Sequence, residues 1–220
     1  MDRLAYHEAH MSFKVVPISP EHIDKVVEVH IRAFPDFFLT FLGPRFLREF
    51  YGSFLKDPTG IGFVAEDAQT SDILGAVVGP VTPQGYFKRL LKRRWWAFCR
   101  AAAGAVLRRP ATAKRLFRAV FYRGEAPPGP PRALLSSIAV APEAQRRGVG
   151  RALVGRWVEE ARRRGAGGCF LTTDADNNDK VNAFYQGLGW KVESTYTTPE
   201  GRCMNRYVLD LSADTYMRGT

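Results

Sequence analysis

The 220-residue sequence predicts an α/β domain in which strands and helices alternate around one mixed sheet. Short runs rich in Val, Ile and Gly recur at strand length, amphipathic stretches of helical period lie between them, and no internal repeat divides the chain. An apolar fraction of 45% with 12% aromatic residues is enough to bury a core. Residues 1–220 are therefore read as a single domain, with a basic helical insertion at 82–132.

Phe13 to Val16 reads as a short strand. In "SPEHIDKVVEVHIRAF" a helix follows, with Ser19 as N-cap, Pro20 in the first turn and a Ser19/His22 spacing that resembles a capping box without its Glu. Ile23, Val26, Val27, His30 and Phe34 recur at helical spacing, so His30 is expected at the edge of the core rather than in catalysis. "GPRFLREFYGSFL" predicts a second helix, and "GIGFVAEDA" with "DILGAVVGPV" a hairpin. Residues 84–123 change character to helical, basic and aromatic sequence, ending in the connector "APPGPP". Phe87, Leu90, Leu91, Trp95 and Phe98 are expected to line one face there. "ALLSSIAV" has strand length, a helix runs from about Val149 to Arg164, and "GCFLTT" is another strand. A short helix in "NNDKVNAFYQGLG" stops at Gly187 or Gly189, and "GWKVESTYTT" with "RCMNRYVLDL" closes the chain as an antiparallel pair.

Composition narrows the function. No run approaches the roughly 20 apolar residues of a membrane-spanning helix, and "MDRLAYHEAH" lacks the apolar centre of a signal peptide, so a cytoplasmic protein is expected. Cys99, Cys169 and Cys203 are scattered and odd in number, which fits reduced, buried thiols rather than disulfides or a metal site. The net charge is +10, and the stretch from Ile73 to Gly124 holds twelve basic residues and no acid. The rest of the chain is close to neutral, so the excess belongs to the insertion. The plainest reading is a helical lid with solvated charges. Two sharper ones are contact with an anionic membrane surface, making the protein peripheral to the membrane, and contact with an acidic acyl carrier protein. Basic and aromatic residues interleave there, yet no nucleic-acid motif is present.

The loop "APEAQRRGVGRAL" packs cations and bare backbone between a strand and a helix. Unpaired N–H groups at a helix N-terminus, with the positive end of its dipole, favour a phosphate or pyrophosphate. Gly148 and Gly150 let such an anion reach the main chain, and Arg146 and Arg147 add charge. A nucleotide P-loop would need a Lys-Ser/Thr pair that is missing, and a dinucleotide fingerprint would need glycine where Leu153 stands.

The hexamer Gln145, Arg146, Arg147, Gly148, Val149, Gly150, preceded by "SSIAVAPEA", resembles the acyl-coenzyme A loop of the GNAT N-acetyltransferase superfamily. Asn178, Tyr185, Gly189 and Trp190 fall on the positions of the family's second signature. The specific resemblance covers Ala133 to Leu211. It implies a mostly antiparallel, twisted sheet flanked by helices, with 82–132 inserted between the third and fourth main strands. It also implies direct attack of an amine, on a small molecule or a peptide, upon acetyl-coenzyme A. Residues 145–151, Arg151 included, would hold the cofactor's pyrophosphate, and backbone groups of Ile138, Ala139 and Val140 its pantetheine arm. Tyr185 would protonate the departing thiolate, a role suited to a phenol whose ordinary pKa of about 10 exceeds the thiol's of about 8.5. Asn178 either caps its helix or bonds the pantetheine arm. For a general base, Asp174 is preferred over Glu66 and Asp176, with water as an equal alternative. Longer acyl-coenzyme A or acyl carrier protein donors are the neighbouring alternatives. A non-catalytic acetyl-coenzyme A-binding or RNA-binding module is the distant one, against which Gly148, Gly150 and Tyr185 argue.

Overall fold

The computed structural model describes residues 12–86, 89, 90, 92, 96, 98, 100 and 131–211. In chain order these form β1 (Phe13–Pro17), a 3-10 turn (Pro20–His22), α1 (Ile23–Ala33), α2 (Phe38–Leu42), α3 (Pro44–Lys56), β2 (Gly60–Asp67), β3 (Ile73–Pro80), β4 (Arg132–Leu134) and β5 (Ser137–Val140). After a second 3-10 turn at Pro142–Ala144 come α4 (Val149–Arg163), β6 (Gly168–Asp174), α5 (Asp179–Gly187), β7 (Lys191–Thr197) and β8 (Cys203–Asp210). The sequence reading missed α2.

The expected single sheet is two four-stranded sheets. One runs β1-β2-β3-β5, wholly antiparallel; the other runs β4-β6-β8-β7, parallel only between β4 and β6. All eight residues of β3 are buried, because α1 and α3 cover one face of the first sheet and α4 the other. Alternation is lost when both faces are covered, which is why "ILGAVVGP" reads as continuous apolar sequence.

At the start of α1 the incomplete capping box is completed by histidine. The Ser19 N–H donates to His22 Nδ1 at 3.1 Å, the part a Glu usually plays, while His22 Nε2 meets Glu66 Oε1 at 3.0 Å.

The two sheets meet within the predicted strand "ALLSSIAV". Leu135 N–H donates to the Phe170 carbonyl at 3.0 Å, whereas Ser136 N–H donates to the Val78 carbonyl at 2.9 Å. One residue thus pairs with β6 and the next with β3. Gly79 permits the crossing: a Cβ there would lie 1.9 Å from the Leu134 carbonyl oxygen. Beyond this point β5 and β6 diverge.

The insertion leaves β3 through Tyr86, which stacks on Phe54 with ring centroids 5.2 Å apart. Its hydroxyl lies 2.9 Å from Ser53 Oγ. Phe98 is buried edge-on against Phe46, and Leu90 is partly buried, as expected. Lys92, Trp96 and Arg100 have helical backbone and are exposed. Phe87, Leu91, Trp95, Cys99 and residues 101–130 lie outside the described residues. Cys169 is a free, buried thiol. Cys203, half-exposed at the start of β8, departs from the buried-thiol reading because it sits on a sheet margin.

Candidate active site

The wedge between β5 and β6 follows from hydrogen-bond phase. Ala141 N–H donates to Leu74 at 2.8 Å, so in the antiparallel register Ala139 also bonds back to β3, opposite Ala76. Ile138 and Val140 then turn their N–H and C=O groups away from β3, toward β6. On the far side, Ala175 N–H donates to Cys203 at 2.9 Å, which sets Thr173 and Leu171 against β8 and turns Thr172 toward β5. Both edges of the wedge therefore present backbone groups. Of the three residues expected to offer them, Ala139 is a correction, since its groups are spent inside the sheet.

At the end of β5 the chain makes its 3-10 turn, passes Gln145 in extended conformation and enters α4 with Gly148 as N-cap at φ +82°. Arg146 has φ +61°, a left-handed conformation that costs a non-glycine residue about 1–2 kcal/mol. Such strain concentrates at functional sites. Nothing lies within 4 Å of a Cβ built on Gly148, and one on Gly150 would touch Phe184 at 3.4 Å. Val149 buries its side chain in the core while its amide opens the helix. The arginines differ in availability. Arg147 donates to Ser12 Oγ at 2.8 Å and lies 4.0 Å from Asp67; Arg146 and Arg151 are exposed, with no ion pair among the described residues.

Tyr185 is packed against Phe184, Trp190 and Tyr207 in α5 and its surroundings. Burial pushes its pKa above the usual tyrosine value, and its hydroxyl makes no hydrogen bond among the described residues. Asn178 stands at the N-cap position of α5 but makes no side-chain cap. Its side-chain amide donates to Thr173 Oγ1 at 2.8 Å and to the Asp174 carbonyl at 3.0 Å, strapping α5 to the end of β6 without a side-chain cap.

Asp174, the preferred base, is engaged by an arginine. Arg202 grips it in a fork, Nε to Oδ1 at 3.0 Å and Nη2 to Oδ2 at 2.7 Å, so each carboxylate oxygen accepts one of its hydrogen bonds. Glu66 is held by Lys14 at 2.8 Å and by His22, at the outer side of the first sheet. Asp176 is exposed in the turn after β6 and has no ion pair among the described residues.

One polar chain had no sequence signal, because its members come from three separate elements. His30 Nδ1 lies 2.8 Å from the Tyr51 hydroxyl, which lies 3.3 Å from Ser137 Oγ on β5. His30 is 1% exposed, deeper than the core edge expected of it. Burial drops its pKa to about 4, against about 6.5 unfolded. The unfolded chain therefore takes up the proton first, and the contribution is complete above pH 6.5 and lost as pH falls toward 4. Between pH 6.5 and 5 it should remove about 2 kcal/mol of stability. Urea unfolding over that range should show the slope in the natural protein and a flatter one in His30→Gln.

The sequence profile of the family described as Acetyltransferase (GNAT) family matches residues 23–190. Among solved structures, the ribosomal-protein-S18-alanine N-acetyltransferase from Escherichia coli aligns with a TM-score of 0.56 at 17% identity, over 91% of this chain and 95% of that one. An N-acetyltransferase from Staphylococcus aureus aligns at 0.56 with 16% identity, covering 90% and 98%. The histone acetyltransferase HPA2 and related acetyltransferase from Corynebacterium glutamicum aligns at 0.58 with 20% identity, covering 93% and 99%. At these identities the likeness is one of fold. A search of curated proteins finds no sequence match.

Proposed function

The chain belongs to the GNAT acetyltransferase family, and from that premise we propose that it transfers the acetyl group of acetyl-coenzyme A to a primary amine by direct attack. The observation that carries this reading is the wedge between β5 and β6, with backbone groups on both edges and a glycine-opened helix N-terminus at its end. We take residues 1–220 as one such domain.

In this reading Ile138 and Val140 pair with the pantetheine arm as they would with an added strand. The pyrophosphate rests on the amides from Gln145 to Gly150, with Arg146 and Arg151, exposed and without an ion pair among the described residues, as the nearby cations and Arg147 contributing if it leaves Ser12. The amine nitrogen attacks the thioester carbon, a C–N bond forms and the C–S bond breaks. An N–H of β5 meets the charge developing on the carbonyl oxygen. Tyr185 gives its proton to the departing thiolate and recovers one from solvent. The proton leaving the amine passes to water, with Asp176, exposed and without an ion pair among the described residues, at that end of β6.

Free-thiol release should appear on mixing the protein with acetyl-coenzyme A and one member of a panel of amino acids, amino sugars, polyamines and peptide N-termini. Longer acyl-coenzyme A and acyl carrier protein donors should give slower release. A protein that neither binds acetyl-coenzyme A by calorimetry nor releases thiol with any amine overturns the reading.

For the insertion, Lys92, Trp96 and Arg100 favour a second surface. Their spacing of four aligns them on one side of a helix, and Trp96 is 71% exposed. A tryptophan between cations suits the boundary of an anionic membrane, where each Lys or Arg contributes about 1 kcal/mol. No helix among the described residues is long and apolar enough to cross a membrane, so the attachment would be peripheral. Sedimentation with phosphatidylserine vesicles should be strong at low salt and weaken at physiological salt. Absence of binding at low salt leaves the stripe a solvated helix face, and capture by acyl carrier protein instead would assign it to the carrier.

A further inference from the structure

The site carries a cation with no assigned partner. Arg206 lies on β8, opposite Thr172 on β6 and Ser194 on β7. Tyr207, next along the strand, donates from its hydroxyl to Asn182 of α5 at 2.9 Å, so Arg206 points to the face away from α5. Phe170 and Thr172 share that face, because Leu171 and Thr173 pair with Tyr207 and Asn205 on the other. Ser137 belongs to the same side of the molecule, bonded to Tyr51 beneath α1 and α3. α4 and α5 stand together on the opposite side, where Gly150 meets Phe184.

The Arg206 guanidinium sits 6.0 Å from the centre of the Phe170 ring and 5.8 Å from that of Tyr196. Both rings lie within cation–π range of it. It forms no ion pair with a carboxylate among the described residues. Asp174, on the same face, is taken by Arg202, and Glu193 by Arg132. Its Nε is sealed from solvent with no hydrogen-bond partner among the described residues, whereas its terminal Nη groups are not sealed and are the donors an arriving anion can reach.

We propose that Arg206 binds an oxyanion, a carboxylate or a phosphate, carried by the acceptor, so that the substrate class is anionic amines. The proposal rests on the acetyl-transfer reading. The donor's phosphates belong at the N-terminus of α4, on the α4/α5 side. An amine reaching the wedge from the other side passes Thr172, one strand from Arg206. The planar guanidinium beside the rings of Phe170 and Tyr196 suits two-pronged recognition of a carboxylate or phosphate.

Paired acceptors that differ only in the anion test this: an amino acid against its amide, and an amino sugar phosphate against the amino sugar. The natural protein should favour the anionic member, the preferred pair telling carboxylate from phosphate. Arg206→Gln should lower kcat/KM for it by about 10- to 100-fold, through KM, the worth of a charge-assisted hydrogen bond. Turnover of the neutral member should be little changed, and Arg206→Lys should recover part of the preference. Equal losses on both members, or lower thermal stability alone, make Arg206 a packing residue and overturn the proposal while leaving acetyl transfer intact. A readout independent of turnover is the Arg206 Nε–H resonance in protein saturated with coenzyme A. It should shift on adding inorganic phosphate or acetate, and a resonance unmoved by both overturns the proposal. Failure of the acetyl-transfer reading is recognised separately, as absent thiol release with every amine.

Discussion

Replacing Tyr185 by phenylalanine is expected to lower kcat by about 10²- to 10⁴-fold, the usual contribution of a positioned general acid, with KM for acetyl-coenzyme A nearly unchanged. The ring contacts with Phe184, Trp190 and Tyr207 would survive. The hydroxyl makes no hydrogen bond among the described residues, so its removal orphans no partner, and stability should stay within about 0.5 kcal/mol. The loss therefore belongs to the transition state, where the thiolate needs a proton. Because burial raises the phenol's pKa, the natural protein should keep this acid protonated above the pH at which an exposed tyrosine titrates. Steady-state kinetics on the purified variant decide: a natural kcat across the pH range would make Tyr185 a packing residue only.

Gly148→Asp should weaken acetyl-coenzyme A binding by about 100-fold, or about 2.7 kcal/mol, in a protein that still folds. Gly148 caps α4 at φ +82°, and a side chain there meets no atom within 4 Å. Aspartate is among the residues that tolerate the left-handed region, and it is a good N-cap, so the backbone strain is modest. What changes is charge: a carboxylate would occupy the helix N-terminus proposed for the pyrophosphate. Gly148→Asn has nearly the same shape without the charge and should retain most of the affinity. Calorimetry on the three proteins separates the causes. Equal affinities would remove the pyrophosphate from this loop.

Much of the site was legible because its signals are local. Gly148 and Gly150 before a helical period announce a bare helix N-terminus, and the Asn178–Tyr185–Gly189 spacing places a phenol on the next short helix. Each depends on neighbours a few residues apart, and the structure puts α4 and α5 where those spacings require. The buried run in β3 and the cap at Ser19 belong to the same class, although the reading did not anticipate that His22 would complete that cap.

Partner choice belongs to tertiary structure. "ALLSSIAV" has the composition of one strand, yet its two halves join different sheets, because Gly79 lets Leu134 pass close while Phe170 and Val78 compete for successive amides. Hydrogen-bond phase with β3 then decides that Ile138 and Val140, not Ala139, face the wedge. Nothing near Asp174 in sequence shows that Arg202 will claim it, or that His30, Tyr51 and Ser137 will join. Periodicity and capping arise within a segment, so the sequence alone determined the elements, the loop and the phenol's helix. Pairing, burial and charge neutralisation arise between segments far apart in the chain, so only the folded arrangement decided which backbone groups stay open, which carboxylate is paired and which arginine has no ion pair among the described residues.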